Sequence, residues 1–276
     1  MKKIKIEDYR HKLRVPFDES FDLSTVNPAD TFQLGDKKEA KKMMITIQDR
    51  LQVLQEKLYA QAGKSLLVIL QAIDTGGKDS TIRRVFGALN PQGVRVISFK
   101  APSSKERSYD YLWRIHQEVP PKGFIHIFNR SQYEDVLIVR VKGLAPLEQI
   151  EKRYDQINNF ERYLTENGVT ILKFFIYISK DEQKRRLQER LVRPDKHWKF
   201  SKDDIKERAL WDDYTKAFNL ALNRCNTEYA PWYCIPANRK WARDVFIGSI
   251  VLYIMKEMDL QFPESEEGLD EIVIPD

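Results

Sequence analysis

The run Ser65-Leu-Leu-Val-Ile-Leu-Gln-Ala72 is continuously apolar, with no alternation of apolar and polar residues, so it predicts a strand covered on both faces. A glycine-rich turn, Ile73-Asp-Thr-Gly-Gly-Lys-Asp79, and a helix over about 80–89 follow it. Further strands are predicted at 94–99, 124–128, 169–178 and 232–235. Between them lie a helix carrying Tyr109, Leu112, Trp113 and His116 and helical segments at 147–167, 181–192 and 203–224; a final helix covers 241–258. Strands separated by helices imply right-handed crossovers, hence an α/β fold with a parallel five-stranded sheet flanked by helices. In such sheets ligands bind beyond the carboxyl ends of the strands. Three chemically unusual turns fall there, at 72–81, 99–107 and 129–135.

The flanks complete a single-domain reading of the 276 residues. Residues 1–36 show no sustained period and are interrupted by Pro16 and Pro28, which predicts an irregular arm. Over 37–62, Ala40, Met44, Ile47, Leu51, Leu54 and Leu58 recur at steps of four and three, with Gly63 as a stop signal. That stripe suits a helix packed on its own core, and its heptad-like spacing would also suit a second subunit. Residues 259–276 form an acidic tail. No run approaches 18 apolar residues, so no membrane span is expected. The N-terminus lacks the apolar segment of a secretory signal, and the two cysteines form no framework, which together suggest the cytoplasm. The formal net charge of +5 points to an anionic ligand only if the positive charge is clustered.

It is clustered. The turn at 72–79 sits where a phosphate loop, G-x-x-x-x-G-K-[ST], would lie between strand and helix. Ala72 replaces the first glycine and Asp79 the metal-binding Ser/Thr. Gly76 and Gly77 can turn backbone N–H groups inward, the N-terminus of the following helix adds partial positive charge, and Lys78 supplies an ammonium. A plain turn with Asp79 as a helix cap is the alternative. Two carboxylates, Asp74 and Asp79, beside a phosphate cradle are unfavourable unless a cation lies between them. Mg²⁺, with Mn²⁺ as a substitute, would account for the pair, since it takes carboxylate and phosphate oxygens together.

The strand at 124–128 ends in Asn129-Arg130-Ser131, with Glu134 and Asp135 beyond. Phosphate-loop proteins place a metal-holding acid there. Asn129 is a weaker ligand, so Asp74 could take that role, and Arg130 can fork onto phosphate. Finally, Arg186, Arg190 and Arg193 recur at helical spacing. Lys196-His-Trp-Lys199 leaves that helix as a basic loop, and Arg208 lies on the return. Such a hairpin suits a lid at about 181–210 that closes over phosphates. An exposed, salt-bridged helix and a nucleic-acid patch are the other readings of this segment.

Several blocks, in order, resemble the polyphosphate kinase 2 family. They are Gln71-Ala-Ile-Asp-Thr-Gly-Gly-Lys-Asp-Ser-Thr81, Leu89-Asn-Pro-Gln-Gly-Val-Arg-Val-Ile-Ser-Phe-Lys100, Tyr111-Leu-Trp-Arg114, Phe128-Asn-Arg-Ser-Gln-Tyr-Glu-Asp-Val136, Lys196-His-Trp-Lys-Phe200 with Glu207-Arg-Ala-Leu-Trp211, and Pro236-Ala-Asn-Arg-Lys-Trp241. The resemblance spans about residues 35–258. It implies a three-layer, thymidylate-kinase-like phosphate-loop fold with a helical lid. It also implies Mg²⁺-dependent phosphoryl transfer between inorganic polyphosphate and nucleotides. Asp74, Lys78 and Arg130 would then be catalytic, and Gly76, Gly77, Asp79, Ser80, Lys100 and Arg107 would contact phosphate. Asn129, Glu134, Arg186, Arg190, Arg193, Lys196, Lys199 and Arg208 would serve the nucleotide or the lid. Asp74 would hold metal, with Asp79 and Glu134 as further candidates. The Gly-Lys-Asp and Tyr-Glu-Asp combinations look most like the subgroup acting on both nucleoside mono- and diphosphates. The expected substrates are therefore ADP/ATP and AMP, with guanine nucleotides as alternatives; no nucleic acid or membrane partner is expected, and a homodimer or homotetramer is. An ATP-dependent nucleotide kinase is the principal rival, and a non-catalytic nucleic-acid-binding protein is the other.

Overall fold

The computed structural model describes residues 6–17, 20–269 and 272–275. Parts of the N-terminal arm and of the acidic tail, namely 1–5, 18, 19, 270, 271 and 276, lie outside it. Five parallel strands form one sheet in the order β2-β3-β1-β4-β5: β1 Ser65–Gln71, β2 Val94–Ser98, β3 Ile125–Asn129, β4 Val169–Tyr177 and β5 Trp232–Pro236. The expected strand at 65–72 is central, and all seven residues of β1 are buried. Its neighbours β3 and β4 are almost wholly buried as well, which is why none of the three alternates.

Eleven helices are described. Ahead of the sheet come α1 Ile6–Leu13 and α2 Lys37–Gln61, and β1 leads into α3 Lys78–Thr81. Single turns α4 Ser104–Arg107 and α5 Trp113–His116 separate β2 from β3; α6 Ile138–Val141 and α7 Leu147–Glu166 separate β3 from β4. Then come α8 Lys180–Val192, α9 Asp203–Ala209 and α10 Trp211–Arg224 before β5, and α11 Lys240–Glu257 after it. The segment α8–α9 is thus inserted between the last two strands, at the position expected for a lid.

Helix α11 is buried around most of its circumference and packs on α1, α2 and the sheet. The stripe of α2 is spent on it: Ala40, Met44, Ile47, Leu51 and Leu58 are buried and Leu54 packs against the same core, so the stripe is not free for a second subunit. Gly248 lets the two helices approach, since a Cβ there would stand 2.9 Å from Met44 Cε and 3.0 Å from Ile47 Cγ2.

Five local expectations are corrected. The arm is not wholly irregular: α1 docks Tyr9 against Phe246 at 5.0 Å, and Val15 N–H donates to Trp232 O at 2.9 Å. An eight-residue helix stabilised by docking is too short to show a period. The helix expected at 80–89 begins at Lys78 and widens to a π-turn over Ile82–Phe86. The helix expected to carry Tyr109 to His116 reduces to α4 and α5, with Tyr109 and Leu112 outside both, and the 203–224 helix breaks at Leu210. The left-handed residue ending α2 is Ala62 (φ 47°) rather than Gly63. Gly248→Val should cost about 1–3 kcal/mol by overpacking the α2–α11 contact, read as a lower urea midpoint.

Candidate active site

The turn after β1 is held from behind by two buried arginines. Arg186 of α8 donates from Nη1 to the carbonyls of Thr75 (3.0 Å) and Gly76 (2.9 Å) and from Nη2 to Ala237 O (2.6 Å). Its Nε is paired with Glu182 at 2.7 Å. Arg243 of α11 donates from Nη1 to Gly77 O (3.3 Å) and from Nη2 to Ser80 Oγ (3.1 Å), and is neutralised by Asp244 at 2.6 Å. Gln183 Nε2 donates to Asp74 O at 3.1 Å. In a trans peptide the N–H lies opposite the C=O. Fixing the Gly76 and Gly77 carbonyls therefore turns the N–H groups of Gly77 and Lys78 away from the arginines. The turn needs left-handed backbone at Thr75 (φ 67°) and Gly77 (φ 107°). At Thr75 that costs on the order of 1–2 kcal/mol, which the arginine contact offsets. Gly76 is pressed on Ala72, whose Cβ would stand 2.5 Å from any Cβ added at Gly76; Ala72, in place of the usual first glycine, floors the loop.

Lys78 Nζ donates to Ala72 O at 3.2 Å. Burial, and then the nearby charge of Arg130, lowers its pKa against the pull of Asp74, Glu134 and Asp79. Arg130, at the end of β3, is itself left-handed (φ 68°), donates its N–H to Leu70 O and reaches Asp74 Oδ1 at 3.3 Å. Asn129 Nδ2 donates to Asp79 Oδ1 at 2.9 Å, and Lys199 Nζ approaches Asp79 from the lid at 3.8 Å.

These groups line one cavity of about 960 Å³, walled by eleven Lys and Arg and four Asp and Glu. Asp74, Gly76, Gly77, Lys78, Asp79, Ser80, Lys100, Asn129 and Arg130 meet there with Arg186, Arg190, Arg193, Lys196 and Lys199. The lid bases are already paired within the lid: Arg193 with Asp195 at 2.7 Å, Arg190 with Asp204 at 3.3 Å, and Lys196 with Glu189. Trp198 is 78% exposed and also faces this cavity, so it is not packed in a core.

A second, smaller cavity of about 230 Å³ has Ile73, Leu137, Ile138, Tyr214 and Phe218 in its wall, with Glu134, Asp203, Asp204 and Glu207. Asp74 and Arg130 line both cavities. Glu134 belongs only to the smaller one, and burial raises its pKa against the pull of Arg130 and Lys78.

Two expected contacts are not brought in. Arg107 donates to Pro102 O at 2.7 Å and lines a separate cavity with Arg114, Asp135 and Arg153. Arg208 braces α8 through Lys180 O (2.7 Å) and Gln183 Oε1 (2.8 Å). Asn238 does not cap α11: its Oδ1 accepts from Ser179 N–H at 3.0 Å, tying β4 to the segment after β5. The sequence reading missed Arg83, Arg84 and Lys240 in the cavity wall and Arg243 behind the loop. The adjacent Arg83-Arg84 pair, less than two turns past Lys78, was an available signal; nothing local marks Arg243, which lies far away in sequence. Among the described residues no group of three or more His, Cys, Asp or Glu could hold a metal by itself.

Sheet, loop and basic cavity define a phosphate-loop protein of the kinase type. The family description Polyphosphate kinase 2 (PPK2) matches residues 34–263. The AMP/ADP-polyphosphate phosphotransferase of Meiothermus ruber is 50% identical over 95% of this chain and 99% of its own. The ADP-polyphosphate phosphotransferase of Rhodopseudomonas palustris is 40% identical over 83% of each. The crystal structure of polyphosphate kinase 2 from Arthrobacter aurescens superposes with a TM-score of 0.92 at 44% identity, covering 95% of this chain and 94% of that one. The chain belongs to the polyphosphate kinase 2 family.

Two measurements test this geometry. A Cβ at Gly77 would fall on Arg243 Nη1 at a left-handed φ. Gly77→Ala should therefore weaken tripolyphosphate binding by at least about tenfold, read by calorimetry, from a loss on the order of 1–2 kcal/mol. Burial pushes the Asp135 carboxyl up to about 6, despite Arg153 at 3.4 Å. The folded state thus holds a proton that the unfolded chain releases near pH 4. Stability should fall as pH rises between about 4 and 6, by up to about 3 kcal/mol. Asp135→Asn should flatten that part of the urea-midpoint profile.

Proposed function

We propose that this chain transfers phosphoryl groups between inorganic polyphosphate and adenine nucleotides, and that it accepts both AMP and ADP. The observation that carries the proposal is the shared wall. The basic cavity suits a polyanion, the smaller part-apolar cavity suits a nucleoside, and Asp74 and Arg130 stand where the two meet. The relative named for both AMP and ADP, at 50% identity, supports the double acceptor range.

Phosphoryl transfer passes through a loose transition state, so alignment and charge stabilisation matter more than a strong base. Lys78 and the N–H groups of Gly77 and Lys78 bind the donor phosphates, and the lid bases exchange their own acids for phosphate oxygens. Arg130, ion-paired to Asp74, bridges donor and acceptor oxygens and holds them in line. The acceptor phosphate is already largely ionised near neutral pH, and Asp74 aligns it without taking a proton. Glu134 lines the acceptor side of the junction, in the smaller cavity.

Mg²⁺ or Mn²⁺ fits Asp74 and Asp79. They are two carboxylates on one cavity wall, too few for a protein-only site but sufficient for an ion completed by phosphate oxygens. Glu134 fits less well: it lines only the smaller cavity, and burial raises its pKa. When bound, the ion neutralises charge on the transferring group. Guanine nucleotides are proposed as alternative acceptors. A cytoplasmic setting accords with two free, buried thiols, Cys225 and Cys234, and no described helix is long and apolar enough to cross a membrane. A homodimer or homotetramer would have to use surface other than the buried stripe of α2, such as its exposed Ile45, Val53 and Tyr59.

Eleven bases exceed what one triphosphate needs, which favours polyphosphate over an ATP donor. The lid bases also turn into the cavity instead of forming an open face for nucleic acid. The deciding assay offers polyphosphate or ATP as donor to AMP, ADP and GDP separately, with and without Mg²⁺. ATP should form from polyphosphate with both adenine acceptors, only with the ion present. No product from either acceptor would overturn the proposal. Lys78→Ala should stay folded and lose about 10²–10³ in turnover, as for removal of one aligned charge-stabilising donor.

A further inference from the structure

An ion pair with no solvent exposure lies beneath the Arg130 turn, and no member of its network lines either cavity at the loop. Lys173, in the middle of β4, donates to Glu161 Oε2 of α7 (2.6 Å), to Tyr133 Oη (2.9 Å) and to the Cys225 carbonyl at the end of α10 (2.6 Å). All three of its donors are used. Glu161 Oε1 accepts from Tyr133 Oη (2.8 Å) and Gln132 Nε2 (3.0 Å). The Lys173 ammonium also stands 5.4 Å from the Tyr133 ring centroid and 5.2 Å from that of Trp232.

Burying two charges is costly, and apolar residues of similar size often serve stability as well or better. Stability alone is therefore a poor reason for this pair. Its place in the chain suggests another. Gln132 and Tyr133 lie, with Ser131, between Arg130, which lines both cavities, and Glu134, which lines the smaller one. Arg130 sits at φ 68°, a conformation that relaxes unless its surroundings hold it. The network fixes the turn by its two central side chains, and so fixes the residues on either side.

We propose that Lys173 and Glu161, acting through Tyr133 and Gln132, are positioning residues that hold Arg130 and Glu134 across the junction of the two cavities. None of the four touches substrate. The role rests on the proposed reading of that junction as the place of transfer. A small displacement of an aligned group can cost about 10²-fold in rate, so the network acts on kcat more than on binding.

The test compares wild type, Tyr133→Phe and the double variant Glu161→Leu with Lys173→Met. Each is assayed for ATP formation from polyphosphate and ADP, well below its own Tm. Tyr133→Phe removes one hydroxyl without changing shape. It should lower kcat by at least about 5-fold, the worth of roughly one hydrogen bond, with both KM values within about 3-fold of wild type. The double variant, if folded, should lose about 10–10² in kcat. Folded variants with wild-type kcat, whatever their Tm, would overturn the positioning role and leave a structural one. If the double variant does not fold, Tyr133→Phe decides alone. Wild type with no polyphosphate-dependent product would instead overturn the reading of the junction, and this role with it.

Discussion

A loop that binds a polyanion must present N–H groups and cations on one side, and so must dispose of its carbonyls on the other. Here Arg186 and Arg243 meet that constraint. They come from α8 and α11, elements distant in sequence, and converge on the carbonyls of Thr75, Gly76 and Gly77. Much of the fold follows from their convergence. Helix α11 has to run buried behind the loop to deliver Arg243, and α2 and α1 then have to cover α11. The same guanidinium of Arg186 ties the root of the lid to the loop and to Ala237 after β5, so three carboxyl-end segments share one anchor.

The charge arrangement is graded. Beside the loop both acids have opposing partners, Asp74 with Arg130 and Asp79 with Lys199, while Lys78 rests on the Ala72 carbonyl. Farther out in the cavity the bases outnumber the acids. The graded arrangement keeps the empty cavity from repelling itself apart while leaving a net attraction for phosphate. Glu134 stands apart from these pairs: it lines the smaller cavity alone, and burial raises its pKa against the pull of Arg130 and Lys78.

Much of this was legible in the sequence because buried parallel strands are written as continuous apolar runs. The β1 run, the glycine-lysine turn and the Arg130 turn each kept their assigned places, and basic residues of α8 do line the cavity. What was not legible depended on distance. Arg243 reads as one more residue of an apolar helix, and only tertiary packing brings it to Gly77. The small cavity is assembled from separate stretches, at 72–74, 130–138, 183 and 203–218, of which only the first two carry a motif. Arg107 looked like a phosphate contact because it follows Lys100 closely, but α4 turns its side chain toward Pro102 and another cavity. The short helices failed for a physical reason: a four-residue turn is held by its neighbours and carries no period of its own.

The pairing of the lid bases with lid acids has a consequence for how the cavity meets salt. Arg190, Arg193 and Lys196 do not hold free counterions that a polyanion would release; each holds Asp204, Asp195 or Glu189. On the proposed function, polyphosphate entering the cavity would replace each intramolecular partner with an intermolecular one and free carboxylates to be hydrated. The association entropy drawn from released small ions is therefore less than the number of bases suggests. Part of the driving force is instead stored as a rearrangement of the lid itself, which ties the grip on the donor chain to the shape of the protein rather than to the ionic strength around it.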